Sequence, residues 1–82
     1  MVTYVFKQEE NDHGQIVFVW RCHSCPEQLR CYTEQDCYIW SLFNQAVFMH
    51  SEDIKTAYEI MSLDELRLIA NIAEVVVIIE SR

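Results

Sequence analysis

The chain has 82 residues, 51% of them apolar and 12% aromatic, with 13 acidic against 6 basic side chains and a net charge of −7. A domain of this size buries only about 60% of the surface of its unfolded form, and a single Gly and a single Pro exclude a low-complexity or disordered composition. The negative balance excludes the positive footprint that nucleic acid phosphates require, and no run of about 18 apolar residues exists to span a membrane.

Residues 2–8 and 15–21 alternate in the manner of half-buried strands, with Val2, Tyr4 and Phe6 on one face of the first and Ile16, Phe18 and Trp20 on one face of the second. The polar stretch between them, Glu9 to Gly14, ends on the chain's one glycine, a residue that tolerates the positive φ of a tight turn. The pattern predicts an antiparallel β-hairpin over 2–21. A lone hairpin is not stable in water, so its apolar face needs a cover. Residues 22–32 read as a polar, cysteine-bearing connection that holds Pro26.

Thr33 is placed as a helix N-cap, with Glu34 and Asp36 where the helix dipole favours negative charge. Ile39, Leu42, Phe43, Ala46, Val47 and Met49 then repeat at helical spacing, which predicts a helix over about 33–50. Ser51-Glu52-Asp53 offers a cap for a second helix, 52–61, with Ile54, Ala57, Tyr58 and Met61 on one side. Ser62-Leu63-Asp64-Glu65 has capping-box spacing. Leu66, Ile69, Ala70, Ile72, Ala73, Val76 and Ile79 follow at the helical period, which predicts a third helix over 63–80. The β-branched run Val75 to Ile79 favours an alternative in which residues 75–79 form a third strand. The expected fold is α+β and a single domain: an N-terminal antiparallel hairpin packed against two or three C-terminal helices.

The residues with chemical potential are the cysteines. Cys22 and Cys25 form a C-x2-C directly after a strand, and Cys31 and Cys37 follow. These four thiolates could converge on a tetrahedral zinc, with His23 as an alternative ligand. A bound metal would add its binding free energy to folding. Against that, Cys31 and Cys37 are not in the second C-x2-C that structural sites use. Free cysteine is also ordinarily a small buried hydrophobe. A thiol redox role is a remote alternative, because C-H-S-C follows a strand as in thioredoxin-like sites but the βαβ pattern is missing. No Gly-rich phosphate loop, G-x-S-x-G or H-E-x-x-H occurs, and the expectation is a protein that is not an enzyme.

The paired carboxylates Glu9–Glu10, Glu52–Asp53 and Asp64–Glu65 fall at a turn and at helix starts, which accounts for them without DNA mimicry. The N-terminal residues carry no signal-peptide pattern, so the expected location is the cytoplasm, with reduced cysteines. So apolar a chain has more to bury than a small interior accepts, and Val75–Ile79 is apolar on every side. The expectation is therefore a protein-protein interaction or regulatory protein, a homodimer through its C-terminal helix, with Leu66, Ile69, Ile72, Val76 and Ile79 as interface anchors. In size and charge the chain resembles the small acidic accessory proteins of phages. That resemblance implies inhibition or redirection of a cytosolic partner.

Overall fold

The structure is a computed structural model that describes residues 1–21, 28–45 and 52–81. Its architecture is α+β, built on one mixed four-stranded sheet in the order β3-β2-β1-β4. The strands are β1 (Val2–Glu10), β2 (Ile16–Arg21), β3 (Gln28–Cys31) and β4 (Val75–Glu80), and the helices are α1 (Glu34–Gln45), α2 (Glu52–Glu59) and α3 (Leu63–Ile72).

β1 and β2 pair antiparallel with Phe6 opposite Trp20 and Gln8 opposite Phe18, which puts the alternating apolar residues of both on one face. Asn11 closes their turn. Its Oδ1 accepts the N–H groups of His13 and Gln15, both at 2.9 Å, and its backbone carbonyl accepts from Gly14. Gly14 has φ of 77°, a conformation that only glycine adopts without steric cost.

Two strands revise the expected fold. Within the predicted connection 22–32, residues 28–31 form β3, which pairs antiparallel with β2 and aligns Leu29 with Trp20 and Cys31 with Phe18. Such a short segment, alternating only twice, carries almost no periodic signal. The second revision concerns the predicted helix over 63–80. It ends at Ile72, and Val75–Glu80 is a strand parallel to β1, the alternative expected for residues 75–79. The chain leaves the helix through Glu74, whose φ of 58° is the left-handed conformation normally given to glycine after a helix. That conformation costs a non-glycine residue about 1–2 kcal/mol. The open edge of β1 offers a full parallel ladder in return, beginning with the Val2 N–H to Glu74 carbonyl bond at 3.1 Å. β-branched side chains suit that ladder better than a helix.

By register, Tyr4, Phe6, Phe18, Trp20, Leu29, Cys31, Val75, Val77 and Ile79 all point to the same face, and they make up the sheet side of the core. α1 covers that face. Thr33 Oγ1 caps it by accepting the Asp36 N–H at 3.0 Å, and Cys37, Ser41 and Leu42 are its buried residues. Trp40 stands edge-on to Tyr4 and Phe6, with ring centroids 5.2 and 6.2 Å away, and lies 5.0 Å from Trp20. Edge-on rings add to the burial term by aligning their quadrupoles. The predicted continuation of α1 through residues 46–50 lies outside the described residues.

α2 ends two residues before the predicted limit of 61, and Tyr58 and Met61 pack against the core. The Met61 carbonyl accepts from Gln35 Nε2 at 2.7 Å, tying the end of this segment to α1. The capping box at Ser62 forms as its spacing predicts, with Glu65 N–H donating to Ser62 Oγ at 3.2 Å and Ser62 N–H donating to Glu65 Oε1 at 3.3 Å.

Candidate interaction surface

α3 has a buried line and an exposed flank. Leu66 and Ala70, one turn apart, are 0% and 2% exposed and seat the helix against the core. Arg67 reaches α1 through Glu34 at 3.3 Å, so it marks the side on which α1 lies. At 3.6 residues per turn, Ile72 falls on the opposite flank and Leu68 on the outer surface beside it. Leu68 is 61% exposed and Ile72 74% exposed.

α3 touches β4, the outer strand of the sheet. The ladder bond from Val2 N–H to the Glu74 carbonyl fixes its phase: Val76, Ile78 and Glu80 direct their backbone groups to β1. The N–H and C=O groups of Val75, Val77 and Ile79 therefore point to the free edge. The side chains of Val76 and Ile78 lie on the sheet face away from α1, where Ile78 is level with Val5, and both Ile78 and Val5 are about two-fifths exposed.

The five residues expected on one helical stripe are thus distributed over two elements. Leu66 is core, and Ile69 and Ile79 pack partly buried against it. Ile72 is on the exposed flank, and Val76 is on the open sheet face, half-buried. A single contact stripe through Leu66, Ile69, Ile72, Val76 and Ile79 does not exist, because the helix that would carry it stops at Ile72. Leu68 and Ile78, which the helical reading left out, belong to the exposed surface instead. The available signal for Leu68 was an apolar residue off the buried period of α3.

On the far side of the same face, Val17 and Val19 are buried although α1 lies on the other face of the sheet. Val17 stands beside Glu9 and Val19 beside Lys7 of β1, and Arg30 of β3 flanks Val19 on its other side. The aliphatic stems of such long side chains shield apolar neighbours while their charged ends stay in water. Arg21 is held by Glu9 at 2.9 Å and donates to Gln28 Oε1 at 3.1 Å.

Of the four cysteines, Cys22 and Cys25 lie outside the described residues, as does His23. Cys31, at the end of β3, and Cys37, in the first turn of α1, are buried and face each other. The hydrogen bond from Cys37 lowers the pKa of Cys31 below its ordinary value, with burial and the Asp36 carboxylate acting against it. The same bond and burial push Cys37 far above the thiol range. The pair therefore holds on to one proton. Among the described residues no group of three or more His, Cys, Asp or Glu side chains could hold a metal ion. A groove of about 600 Å³ opens beside Cys31, with Ile39, Trp40 and Phe43 as its apolar wall.

No protein-family model matches this chain, and no curated sequence or solved structure resembles it. Among the described residues no helix is long and apolar enough to cross a membrane.

Proposed function

We propose that this chain is a small acidic interaction module that regulates or inhibits a partner protein by occupying part of its surface, in the manner of a phage-type accessory factor. Docking takes place along the β4 edge and the adjoining flank of α3. One observation supports this reading above the others: an outer strand of sequence Val-Val-Val-Ile-Ile-Glu, with no proline and no charge before its last residue, lies beside an exposed Leu68–Ile72 flank. An outer strand of this kind is a template for another strand. Strand addition supplies main-chain hydrogen bonds for affinity and alternate side-chain contacts for selectivity. The role requires no catalytic group.

The test uses the full chain as bait, side by side with Ile72→Lys and Ile78→Lys. Both positions are exposed, so neither change touches the core. A partner held by the wild type and lost from both variants is the expected result. Equal retention by all three would move the docking surface elsewhere.

A second reading, a zinc-stabilised module using Cys22, Cys25, Cys31 and Cys37, draws on the contact between Cys31 and Cys37. Elemental analysis of chain purified without chelator decides it. About one zinc per chain, lost on Cys31→Ser, supports the site, and metal-free protein of undiminished stability removes it.

A further inference from the structure

We propose that the occupant of the β4 edge is a second copy of this chain, paired antiparallel through β4 about a two-fold axis at Val77. The inference rests on the docking surface proposed above: in the free chain a second copy occupies that surface, and the regulated partner displaces it.

The phase of the ladder selects the register. Only Val75, Val77 and Ile79 offer backbone groups to the free edge, so an antiparallel partner must set odd-numbered residues opposite odd-numbered residues. Centred on Val77, Val75 faces the partner's Ile79 and Val77 faces its own copy, and every outward N–H and C=O of these residues finds a mate. A centre on Val76 or Ile78 keeps the parity but shortens the ladder. On the open face, the same register sets Val76 against the partner's Ile78.

The two-fold axis stands perpendicular to the sheet, so both helical layers lie on the same side of the continuous sheet that results. The flank of α3 that faces away from α1 then looks across the axis at its own copy, and Leu68 and Ile72 meet Leu68 and Ile72. A foreign strand alone would cover the edge and leave this flank in water. Head-to-tail pairing of β4 with β3 would also leave it exposed. β3 is shorter and carries Arg30, and that arrangement does not close. Self-pairing covers both layers at once.

The size is adequate for a reversible dimer. A six-residue strand is about 20 Å long, and with the helix above it the strip is about 20 Å high. Such a strip, with side-chain relief, presents on the order of 600 Å² per copy, against about 800 Å² in standard stable interfaces. Each copy carries a charge of −7, so the two repel and screening by salt strengthens the pair. A basic foreign partner would show the opposite salt dependence.

Sedimentation velocity of the full chain over a wide concentration range, at low and high salt, tests the proposal. The expected result is a monomer–dimer equilibrium that tightens with salt. Val77→Pro removes an outward N–H and alters a side chain packed partly buried against the core; it should abolish the dimer while the monomer's circular dichroism shows the sheet retained. Leu68→Lys with Ile72→Lys leaves the core untouched and should weaken dimerisation at least tenfold, with the monomer's circular dichroism unchanged. A chain that stays monomeric at all concentrations overturns the inference, as does a dimer indifferent to Val77→Pro and to the double-lysine variant alike. A synthetic peptide of residues 75–80 separates this failure from that of the docking surface. If it perturbs the β4 amides of a monomeric chain, strand addition stands and only self-pairing falls; if it does not, both fall.

Discussion

The two edges of the sheet are finished differently. β3 is four residues long, has Gln28 and Arg30 at alternate positions, and is tied at its start by the Arg21–Gln28 hydrogen bond. β4 is six residues long, and its first five are Val or Ile. Short length and charge are the usual devices that keep an edge from pairing with strangers. The chain applies them on one side of the sheet and omits them on the other. The omission coincides with the exposed Leu68 and Ile72 of α3, the helix that touches β4, and the proposed docking surface rests on that contrast.

The largest expected effect tests whether the inner and outer sides of α3 have separate roles. Leu66 is fully buried and Ile72 is largely exposed, although they are less than two turns apart. Leu66→Ala should destabilise the monomer by about 2–5 kcal/mol, because it leaves a cavity where α3 is seated. Ile72→Ala should change monomer stability by no more than about 0.5 kcal/mol. Urea unfolding at high dilution measures both. Comparable losses at the two sites would mean that the flank is core and that the contrast between the edges misleads.

The next effect concerns the guarded edge, where Cys31 pins β3 to α1 through Cys37. Cys37 keeps its proton in the folded chain, so its contribution to stability is complete below its ordinary pKa and declines as pH rises toward the elevated folded value. Cys31 is shifted down, so its contribution is present above its ordinary pKa and is lost as pH falls through the folded value. Above about pH 9 the unfolded chain has released both protons and the folded pair only one. The pair should therefore lose up to about 1.4 kcal/mol per pH unit there. Cys37→Ser should remove that alkaline slope. An identical pH dependence of the urea midpoint in both proteins would show that the thiols do not share a proton.

Much of this contrast was legible in the residues. Alternation gave β1 and β2, and the Thr33 and Ser62 caps gave the starts of α1 and α3. What was not legible was non-local. β3 takes its strand conformation from β2, because a four-residue segment has too little pattern of its own. β4 takes its place from β1, and the turn into it uses Glu74 where a glycine would have announced the helix end. The helical period accordingly ran on through Val76 and Ile79, and with it the expected contact stripe. The apolar excess at the C-terminus was a sound indication of something unusual. Its division into a core line, a strand edge and an exposed flank depended on where the helix stopped.

The smallest expected effect probes the register at the unguarded edge. With Val77 on the two-fold axis, Glu74 of each copy falls opposite the partner's Glu80, and like charges opposite one another oppose pairing. Glu80 already has Lys7 as its neighbour on β1, so the uncompensated charge is Glu74. Glu74→Lys keeps a non-glycine residue at the same left-handed position, so it adds no new backbone strain. It replaces two repulsions per dimer by two exposed ion pairs, each worth about 0.2–1 kcal/mol. Dimerisation should tighten several-fold at low ionic strength, and the gain should shrink at high salt, where the wild type is already screened. Sedimentation equilibrium of the two proteins at two salt concentrations measures it. A weaker dimer in Glu74→Lys would mean that residue 74 faces a different part of the partner, and the strands would then pair in another register.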